Sequence, residues 1–356
     1  GQNGMVRASN ALRSHLRSNE HETQDRDYIE RCFGCSIYSP RQLARIEQEL
    51  CTGNHLGCHL WFTKGGSTPD KSISADTQRL YEQAEEQAKR NRAAFSHDNA
   101  LYQNALLRLT EQIRNCMLVH QQPEQVTARQ GRLDGTRVWR EPVLRDDRVF
   151  LRNDEEPRPG FTVDLMLDGS ASRLHCQETI AIQGYILAKS LASCGIPVRV
   201  TSFCSLRGYT VLRVLKDFGD KNGERRVFDY FAAGWNRDGL ALRAAGELMK
   251  SAPADKHLLI LLTDASPDDS HKILPGGKVP LSREYDGQAG IEDTAEEVRA
   301  LRAEGVRVAA VFMGENASVP AANTIYGRDL ARIRRMDQLA AAAGRLIQTE
   351  IQELSG

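Results

Sequence analysis

The stretch that decides the fold is Phe-Thr-Val-Asp-Leu-Met-Leu-Asp-Gly-Ser-Ala-Ser, residues 161–172. Its first seven residues are mostly apolar, which is typical of a strand that is buried on both faces of a parallel sheet. The strand leads directly into Asp168, Ser170 and Ser172, which alternate along one loop. A carboxylate and two hydroxyl groups with this spacing can point at one cation.

Two further acidic loops follow downstream. The apolar run at 257–262 leads into Asp264, and Asp238 stands just before a predicted helix. The carboxyl ends of parallel strands lie at one edge of the sheet, where ligands bind. Hard oxygen ligands suit Mg²⁺, Mn²⁺ or Ca²⁺, so we predict a divalent-cation site with magnesium as the expected ion. Its predicted ligands are Asp168, Ser170, Ser172, Asp238 and Asp264. The alternative interpretation is that the three aspartates are only helix N-caps or turn residues.

Strands and helices alternate along the chain after Pro159. Strands are predicted at 161–167, 197–203, 209–215, 257–263 and 306–312. Helices are predicted at 178–193, 239–250, 292–304 and 336–351. This alternation predicts a Rossmann-like α/β fold with a mainly parallel central sheet flanked by helices.

The N-terminal third of the chain has a helical pattern. Helices are predicted at 41–50 and over 76–120, and apolar residues recur at helical spacing in the second stretch. This core-facing stripe consists of Leu101, Ala105, Leu106, Leu109, Ile113 and Met117. The predicted organisation is a smaller helical domain at 1–120, a connector at 121–158 and the α/β domain at 159–356.

Composition limits the classes of partner. Lys plus Arg and Asp plus Glu both number 47, so no global field attracts the chain to nucleic acid or to an anionic membrane. No stretch approaches the ~20 apolar residues of a spanning helix, and the first residues lack the apolar segment of a signal peptide. We therefore expect a cytoplasmic protein with no nucleic-acid partner and no membrane span. An extension of the natural chain before Gly1 remains open.

The order of these loops and strands resembles the von Willebrand factor A (VWA) fold with its metal-ion-dependent adhesion site. In that family the first loop gives Asp, Ser and Ser, the second gives Thr, and the third gives Asp. This chain has Asp238 in the second loop, a departure that resembles the VWA domain of the cobaltochelatase CobT. Residues 285–294, Tyr-Asp-Gly-Gln-Ala-Gly-Ile-Glu-Asp-Thr, are similar to a stretch of NorD-like nitric oxide reductase activation proteins.

The resemblance also implies a function, and it covers about residues 163–312 well and the N-terminal third only loosely. Proteins of this group work beside a MoxR-type AAA+ ATPase. The chain is therefore expected to be an adaptor, with no catalytic residues, that binds such an ATPase and a client protein through an acidic residue at the metal. The alternative, from the likeness to CobT, is a chelatase-type subunit that assists metal insertion into a tetrapyrrole.

A second set of metal-ligand types lies in the N-terminal third. Zinc is bound by thiolates and imidazoles, and the candidates are Cys51, His55, Cys58 and His59. The spacing fits no common zinc finger, which favours the alternative of buried free cysteines and a histidine at a helix end. The eight cysteines of the chain are expected to be reduced, because no secretory signal is present.

Two other charged features are open to more than one interpretation. Asp164 lies within an apolar strand on the same face as Asp168. A buried carboxylate needs a donor, so we predict an ion pair with an arginine in preference to a role at the metal. Four arginines form a candidate basic patch, with isolated surface arginines as the alternative. They are Arg328, Arg332, Arg334 and Arg335.

Overall fold

The computed structural model describes residues 21–66, 74–120, 125–128, 132–133, 150–153, 160–276 and 279–355. Most of the predicted connector at 121–158 lies outside the described residues. Its described parts are three short strands that form a small antiparallel sheet of their own. Among the described residues, no helix is both long and apolar enough to cross a bilayer.

The described elements alternate as the sequence analysis predicts. The strands are β1 (His59–Thr63), β2 (Gln125–Ala128), β3 (Arg132–Leu133), β4 (Phe150–Asn153), β5 (Phe161–Asp168), β6 (Val198–Leu206), β7 (Tyr209–Lys216), β8 (Lys256–Thr263), β9 (Asp269–Ile273), β10 (Arg283–Tyr285), β11 (Arg307–Phe312) and β12 (Leu330–Arg332). The α-helices are α1 (21–33), α2 (Pro40–Leu50), α3 (Ala75–His97), α4 (Asn99–His120), α5 (Gln177–Ser193), α6 (Asp238–Met249), α7 (Gly287–Ala303), α8 (Val319–Tyr326) and α9 (Leu339–Ser355).

A seven-stranded sheet organises the molecule, in the order β1-β7-β6-β5-β8-β11-β12. Neighbouring strands are parallel, except that β6 and β7 form an antiparallel hairpin. The direction in which successive strands are added to the sheet reverses at β5, because β6 lies on one side of β5 and β8 on the other. This is the switch point at which parallel sheets bind ligands. The prediction of an α/β fold with a mainly parallel sheet flanked by helices is confirmed.

Both faces of the sheet are covered by helices, which explains why its central strands are almost continuously apolar. All eight residues of β5 are buried. Val163, Leu165 and Leu167 contribute to one hydrophobic core with α4, α5 and α9. Met166 points to the other core, which contains residues of α2, α6, α7 and α8. Asp164 and Asp168 share the face of Met166 because side chains alternate along a strand.

The N-terminal region contributes a strand that the sequence analysis missed. β1 lies at the edge of the sheet and pairs in parallel with β7, from His59 opposite Tyr209 to Thr63 opposite Arg213. The helices of this region share both cores of the sheet. A domain boundary at residue 120 stays a prediction. Within the predicted stripe of α4, four residues are buried, but Leu101 is 47% exposed, and for that residue the prediction is wrong.

Candidate metal centre

Three acidic loops meet at the carboxyl ends of the central strands. Asp168 is the last residue of β5, Asp264 directly follows β8, and Asp238 is the first residue of α6. All three side chains are buried, with 0% exposure for Asp168 and Asp238 and 5% for Asp264. The sheet order explains their approach, since β5 and β8 are paired neighbours.

A chain of hydrogen bonds links the first and third loops. The Ser170 amide donates to Asp168 Oδ1 over 2.9 Å, and the hydroxyl oxygens of Ser170 and Ser172 lie 2.8 Å apart. Ser172 Oγ donates to Asp264 Oδ2 over 3.0 Å. A chain of hydrogen bonds therefore links four of the five predicted ligands.

The fifth predicted ligand, Asp238, lies close enough to feel the charges of the other two carboxylates. Asn236 Nδ2 donates to Asp238 Oδ1 over 2.9 Å. Asp238 Oδ2 and Asp168 Oδ2 are buried and have no hydrogen-bond partner among the described residues. Leaving such oxygens without a partner costs about 1–3 kcal/mol each. A hard cation would satisfy both, so the donor set fits Mg²⁺, Mn²⁺ or Ca²⁺.

The pKa shifts of the clustered carboxylates also favour a bound cation. Burial, and then the nearby charge of Asp264, raise the pKa of Asp168 to about 7. Burial, followed by the charges of Asp168 and Asp264, raises the pKa of Asp238 well above its ordinary value. Crowded carboxylates resist ionisation in this way when nothing balances their charge. A divalent ion would reverse that effect.

Arg173 is a neighbour of the site that the sequence analysis missed. It is 4% exposed and forms an ion pair with Asp264 Oδ2. Its other amino group, Nη1, donates to the Met313 carbonyl over 3.5 Å. Its guanidinium thus occupies an oxygen that a bound cation would need. Its position directly after Ser172 in the sequence could have indicated that it lies near the site. The sequence alone does not show which carboxylate it pairs with.

The stretch that resembles NorD-like proteins fixes the start of α6. Tyr285 Oη donates to Asp293 Oδ2 over 2.6 Å and accepts from the Gly239 amide over 3.2 Å. A Cβ atom at Gly239 would lie 2.0 Å from Asp293 Oδ2, so the contact requires glycine. These contacts tie α7 to the residue that follows Asp238, and they hold that carboxylate at the sheet edge.

Arg237, which precedes Asp238, is fully buried and joins three segments of the chain. It donates to Asp269 Oδ2 over 2.8 Å and to the His271 carbonyl over 2.6 Å. It also donates to the Asn54 carbonyl over 2.5 Å and to His55 Nδ1 over 3.1 Å. The loop before β1 is thereby anchored to the second acidic loop.

The structure does not bring the four zinc candidates together. Burial raises the pKa of Cys51 and of Cys58 to about 12, which keeps both thiols protonated. His55 faces Arg237, and His59 Nδ1 lies 3.5 Å from Glu47 Oε1. Each of the eight cysteines is a free thiol. Burial of Cys51, His55 and Cys58 favours the alternative of packing, and zinc binding stays a prediction.

Among the described residues, one group of at least three histidine, cysteine or carboxylate side chains has ligand atoms within 4.8 Å of one another, and it consists of His55, Asp293 and Glu297. The carboxylates of Asp168, Asp238 and Asp264 do not form such a group. Because Arg237 donates to His55 Nδ1, the imidazole proton belongs on Nε2, which faces Asp293 Oδ2 at 3.4 Å. A metal on Nε2 would displace that proton, and Arg243 already pairs with Glu297 at 2.7 Å. His55 Nε2 is nevertheless buried without a hydrogen-bond partner among the described residues, so the group is a second candidate for a divalent ion.

The prediction for Asp164 is confirmed. Asp164 Oδ1 accepts from Arg199 Nε over 2.6 Å, and both side chains are buried. Arg199 also donates to the Leu248 carbonyl over 3.1 Å. Asp164 thus connects β5, β6 and the end of α6, and it takes no part in the metal cluster.

An open groove of about 470 Å³ is lined by two of the predicted ligands, the serines, and none of the three predicted acidic ligands is among its lining residues. Ser170 and Ser172 form part of its floor, and Trp235, which is 44% exposed, stands at its side. Asp268 and Asp286 also line it. The groove gives a partner molecule access to the serine hydroxyls.

The sheet order and the positions of the three loops resemble those of a VWA-type domain. Solved structures with related folds include the vWF domain of the pilus tip protein Mfa5 from Porphyromonas gingivalis, with 9% identity and a TM-score of 0.39 over 55% of this chain and 98% of that one. A manganese-loaded TRAP protein of Plasmodium vivax gives 18% identity and a TM-score of 0.39 over 55% of this chain and 76% of that one.

Within this class, the chain resembles NorD. It is 31% identical to Protein NorD of Brucella abortus over 223 residues, which are 56% of this chain and 32% of that protein. It is also 32% identical to an uncharacterized protein of Pseudomonas aeruginosa over 125 residues, 34% of this chain and 18% of that one. The chain spans at most about a third of the length of these relatives. No protein-family model matches it.

Proposed function

We propose that this chain is a metal-dependent protein-binding module. A divalent cation, magnesium in our proposal, would be held by Asp168, Ser170, Ser172, Asp238 and Asp264. The observation that carries the proposal is the pair of buried carboxylate oxygens without partners, Asp168 Oδ2 and Asp238 Oδ2. The predicted ligands all offer oxygen atoms, and two of them, Ser170 and Ser172, line an open groove. A carboxylate of a partner protein would enter that groove and complete the coordination of the ion.

The wider role that we propose is that of an adaptor for a MoxR-type AAA+ ATPase in the maturation or activation of a client protein. The sequence similarity to NorD, over 56% of the chain, supports this role. The chelatase alternative rests on the resemblance of Asp238 to CobT and stays a prediction.

The first test measures metal binding. Isothermal titration with Mg²⁺ and Mn²⁺ would compare the wild type with Asp168→Ala and with Asp286→Ala. The control removes one exposed carboxylate from the rim of the same groove, outside the predicted ligand set. We expect Asp168→Ala to lose measurable binding and Asp286→Ala to keep it. A wild type that binds neither ion, or equal binding by all three proteins, would contradict the proposal.

The second test measures partner binding. Immobilised wild type would be used to capture the co-expressed MoxR-type ATPase and its client, with and without EDTA. We expect capture to be lost with EDTA and with Asp168→Ala, and to be retained with Asp286→Ala. Capture that survives both EDTA and Asp168→Ala would show that metal is not needed for the interaction.

A further inference from the structure

A second cavity lies beside the groove, on the other side of Arg173. It has a volume of about 880 Å³ and is bounded by the start of α5, the loop after β11 and the segment after β12. We call it the arginine cleft, after the three cationic residues in its lining. They are Arg332, Arg334 and Arg335.

The arginine cleft carries a net positive charge, because its lining has one carboxylate, Glu315, and three arginines. Arg335 pairs with Asp337. Arg332 and Arg334 instead share a neutral partner, since both donate to Asn316 Oδ1. Neither forms an ion pair with a carboxylate among the described residues. A cleft of this kind attracts anions.

The hydrogen-bond donors of Arg332 suit a carboxylate ligand. Arg332 is half-buried, and its guanidinium lies over the Phe312 ring with the carbon 6.0 Å from the ring centre. Its Nε atom is buried and has no partner among the described residues. A guanidinium that is held by an aromatic ring and an amide retains donors for a bidentate bond to a carboxylate.

The lining also contains an acceptor, which favours a peptide over a polyphosphate chain. Gln183 Oε1 is buried without a partner, while its Nε2 lies 3.2 Å from Met336 Sδ. The backbone of a peptide has N–H groups that can donate to such an oxygen, and acidic side chains can meet the arginines. The sugar–phosphate backbone of DNA, like a polyphosphate chain, offers acceptors only.

The arginine cleft adjoins the candidate metal centre. Ala317 lines both cavities. Arg173 bridges the two, because it pairs with Asp264 on one side and donates to the carbonyl of Met313, a cleft residue, on the other. A single extended segment can therefore lie across both.

We infer that the arginine cleft binds an acidic segment of the same partner protein whose carboxylate reaches the metal centre. Arg332 and Arg334 would bind further acidic side chains of that segment. This inference rests on the proposed function, and it gives the partner a chemical signature: acidic residues clustered on one extended peptide. Specificity would then come from the cleft, while the metal anchors one carboxylate.

The test uses a fluorescein-labelled peptide of eight glutamates as the probe, with binding followed by fluorescence anisotropy in Mg²⁺ and in EDTA. The variant is the double substitution Arg332→Gln and Arg334→Gln. The matched control is Arg335→Gln, which removes an arginine of the same cleft that Asp337 already neutralises. We expect the double variant to bind about 10-fold more weakly under both conditions, as for loss of two charged contacts, and the control to stay within about 2-fold of wild type.

The outcomes separate this inference from the proposed function. If magnesium has no effect but the double variant still binds weakly, the metal-dependent function fails and the inference about the cleft stands. If the double variant binds like wild type, or if Arg335→Gln weakens binding as much, the inference is overturned. If a 12-nucleotide oligo-dT binds more tightly than the peptide through Arg332 and Arg334, the assignment of a peptide ligand is also overturned.

Discussion

At the scale of single residues, Asp238 is the position that sets this site apart. The VWA adhesion site that the chain resembles has threonine there. Three ionised carboxylates around Mg²⁺ would leave a net charge of about −1, by simple counting of ligand charges. The site should therefore bind the ion more tightly and attract an incoming carboxylate less strongly than a site with two carboxylates.

The variant Asp238→Thr tests this consequence. We expect its magnesium affinity to fall by about 10-fold, because ligand charge tunes the affinity of such sites. Isothermal titration against the wild type measures the change, and Asp286→Ala again serves as the control for a lost surface charge. Tighter binding by Asp238→Thr would refute the role that we give to this carboxylate, either as a ligand or as a contact through water.

Replacing Arg173 should raise the magnesium affinity, whereas replacing Asp238 should lower it. The guanidinium of Arg173 pairs with Asp264 and competes with a cation for the same oxygen. Replacement by Met keeps much of the side-chain bulk and removes the charge, so magnesium affinity should rise by about 10-fold. Titration at two ionic strengths checks the electrostatic origin, since the difference should shrink in high salt. A loss of affinity would mean that Arg173 holds Asp264 in its binding position.

At the scale of elements, the strands and helices that surround β5 were predictable because each has a clear period and length. The strands missed in and beside the α/β region are short: β1 and β9 have five residues each, and β10 and β12 have three each. A run of this size has no period that sequence reasoning can detect. It becomes a strand because a neighbour offers backbone partners, as β7 does for His59 to Thr63.

The contact between α6 and α7 yields an element-scale prediction. Gly239→Ala would place a methyl group 2.0 Å from Asp293 Oδ2. We expect a loss of about 1–3 kcal/mol in the free energy of unfolding, typical of overpacking, and weaker magnesium binding because α6 shifts. Gly219→Ala is the control, since a Cβ there meets nothing within 4 Å. Urea denaturation measures the first effect, and an unchanged midpoint for Gly239→Ala would contradict this account of the contact.

At the scale of the whole molecule, the buried network around His55 joins the N-terminal region to the second acidic loop. The candidate metal ligands were predictable, because each follows or precedes an element with a clear pattern. The supporting groups, Arg237, Asp293 and His55, were not. Their partners lie far away in the sequence, and only the folded chain decides which polar groups meet.

The same network predicts a pH dependence of stability. Burial, and then the charges of Arg243 and Arg237, lower the pKa of His55 to about 2. Since the unfolded chain takes up a proton near pH 6.5 and the folded chain does not, stability is lost as the pH falls below that value. The loss between pH 7 and pH 5 should be about 2 kcal/mol from this group alone.

Urea denaturation at several pH values would compare the wild type with His55→Gln. The variant should lose less stability on acidification than the wild type, by about that amount. His97→Gln, which changes an exposed histidine at the end of α3, should follow the wild-type profile. Identical pH profiles for His55→Gln and wild type would show that the imidazole is not held neutral by its surroundings.

The most direct measurement for the central claim is a crystal structure of the Mn²⁺-soaked protein with an anomalous difference map. We predict one strong peak within about 2.0–2.6 Å of oxygens from Asp168, Ser170, Ser172 and Asp264, with Asp238 bound directly or through water. Absence of a peak at that point under saturating Mn²⁺, or a peak only beside His55, Asp293 and Glu297, would contradict the account.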